Sequence, residues 1–312
     1  MRQMKKRSAV LTMRETSGEP LIESLATLKS GSRTYEHMWP IYNGTAAKVY
    51  TSVTYFSAFN IVFHIKSRII KMLKKEFMDN EKEKRQFEHG TELHARLKHR
   101  NIVRIREQGV IIEPDGYGGL PYHVMEYLNG ETLDKIIRKH QELDNEDTTL
   151  VGLEICRAMA YAHKRGIVHR DIKPENVMIV PGKRSAIIKL LDFGIAKMVG
   201  EKDAWDKVEG TPIYMSFEQA SASTIMESMD IYCLGVTMFE MLTGRVPYMA
   251  DADETANEYL MRVWSTELPI PRVSDFNNKV DRKLDDIVWK CMQRYPDQRY
   301  WNMDHLECAL RG

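Results

Sequence analysis

No apolar run in the 312-residue chain reaches the roughly 18 residues that a membrane-spanning helix needs, so a helical membrane protein is not expected. Charge of one sign is missing as well. The 45 Lys and Arg nearly balance the 44 Asp and Glu, leaving +1, which gives neither nucleic acid nor an anionic membrane an electrostatic footing. Cysteine is scarce: Cys156, Cys233, Cys291 and Cys308 lie far apart with no CxxC pair. Three of them sit in apolar, helix-like runs and read as buried free thiols of a reducing compartment. The start, MRQMKKRSAVL, is basic but has no apolar h-region, so no signal peptide is read. The expected location is the cytoplasm.

What is present is ordinary for a globular chain: 43% hydrophobic and 29% charged residues, enough for one large or two smaller domains. One stretch is not ordinary. From His169 the chain reads HRDIKPENVM, then two short apolar runs (177–180 and 186–191) around PGKRS, then LLDFG to Gly194. It brings Asp171, Lys173, Asn176 and Asp192 together on strand-flanking loops. Two carboxylates, an amide and an ammonium suit a site for Mg²⁺ and a phosphate ester, because Mg²⁺ takes hard oxygens from one or two carboxylates and from substrate phosphates.

The ordered pair H-R-D-I-K-P-E-N and D-F-G resembles the catalytic and metal-binding loops of eukaryotic-like serine/threonine protein kinases. The resemblance runs from about Tyr35 to the C-terminus. It implies an α+β, bilobal fold: a small β-rich N-lobe with one main helix over about 35–125, and a larger, mostly helical C-lobe over about 129–312. Residues 1–34 read as an extension, with Leu21, Ile22, Leu25 and Leu28 spaced for a short amphipathic helix after Pro20.

Before the opening stretch, IYNGTAAKVY falls where the family's glycine-rich loop covers ATP phosphates. Only Gly44 is kept, with Tyr42 and Ala47 at the outer positions and Val49 following. Counted from that loop, Lys66 in IVFHIK takes the place of the phosphate-contacting lysine and His64 the small residue against adenine. FEHGTELHARLKHRNIV resembles the long N-lobe helix and the turn after it, with Gly90 where the family has the glutamate that pairs with the lysine. Glu83, Glu88 and Glu92 are the nearby acids. Glu113 to Gly119 reads as a hairpin turn, and PYHVMEYLNGETL resembles the hinge, where Met125, Glu126 and Leu128 would border the base.

After the hinge, Leu150, Leu153, Cys156 and Met159 mark a helix that stops near Gly166, and Met229 to Leu242 is apolar nearly all round, as in a central buried helix. Asp230 resembles the aspartate that supports the catalytic loop, and Glu218 with Arg299 the family's buried ion pair. Phe217 stands where proline is usual. By the same resemblance Asp171 accepts the substrate proton, Asn176 and Asp192 hold Mg²⁺, Lys66 braces the ATP phosphates, Lys173 neutralises the transferring group, and Met178 lines the base pocket. Lys173 with Thr211 resembles the serine/threonine class, whose partners are protein substrates. Glu131 and Glu175 match positions that hold basic flanking residues in some members. Residues 195–209 carry no Ser, Thr or Tyr, but Glu201, Asp203, Asp206 and Glu209. One of these acids is expected to meet Arg170, with a solvated charge run as the alternative. Two function classes stay open: an active kinase, favoured by Asp171, Lys173, Asn176 and Asp192, and a nucleotide-binding pseudokinase scaffold, favoured by His64, Gly90 and the lost glycines.

Overall fold

The computed structural model describes residues 7–13, 26–30, 33–43, 46–58, 61–77, 79–112, 119–183, 185–201, 210–221, 224–265 and 268–312. They fall into two compact units, Met1–Lys98 with Val103–Leu128, and His99–Ile102 with Asn129–Gly312. The first is β-rich with one main helix and the second mostly helical, as the bilobal expectation has it.

Seven strands build the first unit: β1 (Arg7–Met13), β2 (Ala26–Ser30), β3 (Arg33–Asn43), β4 (Ala47–Ala58), β5 (Ile61–Leu73), β6 (Ile105–Ile112) and β7 (Leu120–Glu126). They close in the order β1-β2-β3-β4-β5-β7-β6, with β1 parallel to β6. Residues 7–13 and 26–30, assigned to a separate extension from sequence, are therefore strands of this sheet. Leu28, read as helical, pairs with Leu11 on one side and Tyr35 on the other. A short apolar run does not by itself separate strand from helix, and here neighbouring strands supply the backbone partners. Leu21, Ile22 and Leu25 lie outside the described residues.

β4 and β5 are long, 12 and 13 residues, and pair from Ala47↔Leu73 to Ala58↔Ile61. β5 meets β7 only over Arg68–Met72. The core of this unit gathers Ile70, Met72, Leu73, Ile111, Leu120, Tyr122 and Val124, with Phe87 from helix α1 (Glu81–Ala95). The helix starts where the Asn80 side chain accepts N–H bonds from Lys82 and Glu83, a polar N-cap. It runs unbroken through Gly90, which is buried. A glycine inside a helix costs about 1 kcal/mol against alanine, so packing sustains this turn.

The second unit comprises β8 (Glu131–Thr132), α2 (Leu133–His140), α3 (Asn145–His163), β9 (Ile167–Val168), β10 (Val177–Val180), β11 (Ile187–Leu190), β12 (Lys197–Met198), α4 (Phe217–Ala220), α5 (Ser228–Thr243), α6 (Ala256–Val263), α7 (Arg282–Cys291) and α8 (Met303–Arg311). Every α5 residue from Met229 to Phe239 is buried, matching its all-round apolar sequence. Gly166 follows α3 at φ +72°, the left-handed geometry that glycine adopts most easily. Asn101 ties residues 99–102 into this unit. Its amide donates to Glu154 Oε2 (2.7 Å) and to the Ile188 carbonyl (2.8 Å).

The unexpected Phe217 opens α4, capped by Ser216, and its ring packs on Trp264 and Tyr295. An aromatic anchor thus stands where proline was expected. Glu218, the next residue, forms a buried two-pronged ion pair with Arg299 at 2.6 and 2.9 Å.

Candidate active site

The hairpin β10–β11 frames the loop from His169 to Asn176, and the loop is held from below by one carboxylate. Asp230, on the first turn of α5, is fully buried and accepts from the His169 N–H (2.9 Å), the Arg170 N–H (2.8 Å) and His163 Nε2 (2.8 Å). These bonds secure Arg170 at φ +71°, a conformation that costs a non-glycine residue about 1–2 kcal/mol. Burial pushes the Asp230 carboxyl upward, but the hydrogen bond and charge of His163, with help from His169, outweigh it and hold the group below its usual range. A lowered carboxylate stabilises the fold above its unfolded pKa, about 3.9, and that contribution is lost as pH falls through the folded value. Asp230→Asn is expected to cost about 1.5–3 kcal/mol at neutral pH and to flatten the acid limb of the urea midpoint below pH 4. A variant with an unchanged acid limb would assign the acid sensitivity to other groups.

Above this support the chemistry-bearing groups converge. Asn176 Nδ2 donates to the Asp171 carbonyl (2.8 Å) and to Asp171 Oδ2 (2.9 Å). Lys173 Nζ lies 2.9 Å from Asp171 Oδ2. The Thr211 hydroxyl accepts from Lys173 (2.5 Å) and donates to Asp171 Oδ1 at 3.0 Å. Asp171, Lys173, Asn176 and Thr211 are thus one hydrogen-bonded cluster. The Leu191 N–H donates to the Asn176 carbonyl (2.7 Å), which ties the second loop to the first, and Asp192 Oδ1 accepts from the Gly194 N–H (3.0 Å).

The His169 ring joins the two loops as well. Its Nδ1 accepts from the Asp171 N–H and its Nε2 faces the Leu191 carbonyl, both at 3.2 Å, which selects the Nε2–H tautomer. Phe193 packs edge-on against that ring. Arg170 is buried and donates to the Ile195 carbonyl. Of the acids expected to meet it, Asp203, Asp206 and Glu209 lie outside the described residues. Among the described residues no group of three or more His, Cys, Asp or Glu gathers as a metal site.

In the first unit, Gly44 lies outside the described residues, while Tyr42 and Ala47 sit in β3 and β4. Val49 on β4 is opposite Lys71, not Lys66. Lys66 is opposite Thr54 and His64 opposite Tyr55, both before the stretch of β5 that pairs with β7. Within that stretch Lys71 faces His123 and Ile69 faces Met125 across the strands. Counting from the glycine-rich loop reaches Lys66 because it takes no account of the long β4–β5 hairpin. The run RIIKML, an apolar strand ahead of the charged segment of α1, carries Lys71 within the stretch that pairs with β7. Glu126 turns its carboxylate toward β6, accepting from the Arg104 N–H (3.1 Å) and from Arg106 (3.3 Å). On α1, Glu83 is buried, and Glu88 and Glu92 are half-buried. Met178 lies on β10 in the second unit, opposite Lys189 and Thr132.

A family profile described as the protein kinase domain matches residues 44–308. A probable serine/threonine-protein kinase of Clostridium acetobutylicum is 34% identical over 239 residues, covering 76% of this chain and 34% of that protein. The serine/threonine-protein kinase PknB of Mycobacterium leprae is 32% identical over 219 residues, 69% of this chain and 34% of that protein. The chain thus spans about a third of the length of these curated relatives. The crystal structure of the Mycobacterium tuberculosis PknI kinase domain superimposes with a TM-score of 0.65 at 21% identity, covering 90% of this chain and 96% of that one. That likeness speaks to the fold. With 44–308 matched end to end and the HRD and DFG loops tied into one cluster, the chain belongs to the protein kinase family.

Proposed function

We propose that this protein is an ATP- and Mg²⁺-dependent kinase that phosphorylates Ser or Thr hydroxyls of proteins. The observation that carries the reading is the Thr211 hydroxyl, which donates to Asp171 Oδ1 at 3.0 Å while Lys173 stands 2.9 Å from the other carboxylate oxygen. Asp171 is thereby able to accept a hydroxyl proton at hydrogen-bond range, the geometry a general base requires. In the reaction Asp171 orients the acceptor hydroxyl and takes its proton, and Lys173 balances charge on the transferring group. The donor set fits Mg²⁺: Asp192 offers a carboxylate, and Asn176 spends its amide N–H on Asp171, which leaves its carbonyl oxygen as a hard ligand. Bound there, the ion would neutralise phosphate charge.

For the nucleotide we propose Lys71, in place of Lys66, as the lysine that braces the phosphates. Val49, Ile69 and Met125 would line the base pocket in its company, with the Glu126 and Leu128 backbone at the adenine edge. The strand register supports this assignment, since Lys71 is paired on both sides, with Val49 and with His123. Lys71→Met is expected to reduce phosphate transfer from radiolabelled ATP to a basic protein by about 10² or more, and Lys66→Met to leave it within a few-fold. The reverse order would return the role to Lys66. No transfer by the wild-type chain, with ATP still bound, would select the scaffold reading.

A basic residue near the acceptor is the proposed substrate preference. Glu175 and Glu131 are joined in this reading by Glu240, which accepts from the Tyr214 hydroxyl at 2.6 Å and whose carboxyl is raised by burial and by the charges of Glu175 and Asp134. A substrate cation would offset that repulsion. The free cysteines, three of them buried, favour a cytoplasmic location, and among the described residues no helix is long and apolar enough to cross a membrane.

A further inference from the structure

Helix α1 presents glycine where an acid would pair with the phosphate lysine, yet its inward face is not bare. Phe87, Gly90, Thr91 and His94 fall on one buried stripe, the i, i+3, i+4, i+7 pattern of a packed helix face. Two of these residues meet the same strand residue. The Thr91 hydroxyl lies 2.9 Å from His123 Nδ1, and the Phe87 ring stacks on the His123 imidazole with centroids 5.4 Å apart. His123 is 5% exposed and is the cross-strand partner of Lys71. Directly paired residues of antiparallel strands share a face, with Cβ atoms about 5 Å apart. The helix therefore grips the sheet at the residue beside Lys71.

We infer that Thr91 and His123 form a latch through which α1 positions Lys71, beside the turn where Gly90 offers no side chain. The inference rests on the proposed role of Lys71 in holding ATP. Thr91 and His123 are positioning residues, since they act through the strand. Two features favour this pair over an acid. Thr91 follows Gly90 directly on the helix, whereas the buried acid Glu83 is two helical turns away, about 10 Å along the axis. The hydrogen bond and the ring stack also bind one side chain from two sides, so the imidazole is held in rotation as well as in place.

The test uses the full chain and steady-state kinetics with ATP. Thr91→Val keeps the shape and removes the hydroxyl, and it is expected to lower kcat/KM for ATP about three- to tenfold, the size of one buried hydrogen bond. Thr91→Ser restores the hydroxyl and is expected to recover most of the loss. In a Lys71→Arg background, Thr91→Val is expected to cost nothing further, because the group it positions is already altered. Equal losses for the Val and Ser variants, or an unchanged penalty in the Lys71→Arg background, would reduce the latch to a packing contact. A larger loss from Glu83→Gln that disappears in the Lys71→Arg background would transfer the role to Glu83. If Lys71→Met leaves transfer intact, the reading of Lys71 itself fails. If it abolishes transfer while Thr91→Val is silent, only the latch fails.

Discussion

Asp171→Asn should lower the rate of phosphate transfer by about 10²–10⁴, the usual contribution of a general base, with little change in thermal midpoint. Geometry explains why activity and stability separate here. Three donors surround the carboxylate: Lys173 and Asn176 at Oδ2, and the Thr211 hydroxyl at Oδ1. An asparagine can keep its oxygen toward Lys173 and Asn176 and turn its NH₂ toward Thr211. That hydroxyl is able to accept instead of donate, because its hydrogen rotates freely. The loop then keeps its bonds, while the carboxylate proposed to take the proton is gone. Transfer measured with purified protein and a basic substrate checks the rate, and calorimetry checks the fold. Activity that survives the substitution would mean that another group accepts the proton or that a contaminating enzyme was measured.

The largest effect on stability is expected at Arg299 in the second unit. All five N–H groups of Arg299 are used: Nε to the Gln293 carbonyl, Nη1 to Glu218 and the Ser228 carbonyl, and Nη2 to Glu218 and the Arg294 carbonyl. The side chain has no exposed surface, and that of Glu218 is 4% exposed. Removing one partner strands a buried charge, which costs about 3–5 kcal/mol, so Arg299→Ala should destabilise by that amount in urea titrations followed by Trp fluorescence. Arg299→Lys should recover little, since an ammonium has three donors and no planar fork. Glu218→Gln should fall between wild type and Arg299→Ala, because Ser228 also donates to Glu218 Oε1 at 3.0 Å and a neutral amide keeps part of that network. A lysine variant as stable as wild type would show that charge, not the fork, matters at this site.

The second unit was largely legible because its key residues are local in sequence. His169 to Asp192 is a hairpin with its loops, so spacing along the chain is also spacing in the fold, and Asp230 and Glu218 come attached to recognisable runs. The first unit was less legible because its site is made by strand register. Register depends on hairpin length, and nothing in IVFHIKSRIIKML states where β5 begins to pair with β7. Lys66 and Lys71 both follow apolar residues; only the cross-strand partners separate them. The sequence pattern shows Gly90 at its helical position but not the contact of Thr91 and Phe87 with His123, which lies about 30 residues further along the chain on β7. The first two strands were missed for a related reason: their partners, β3 and β6, are supplied by distant parts of the chain.

Those two strands change how the small unit meets other chains. A sheet closed on itself has no outermost strand, and each of β1 to β7 has a neighbour on both sides. An open sheet carries rows of unused N–H and C=O groups that invite strand addition by a partner or by another copy. Here β1 occupies that side of β6 and β2 that side of β3. Along those paired stretches a partner that adds a strand must first peel away the chain's own first strands.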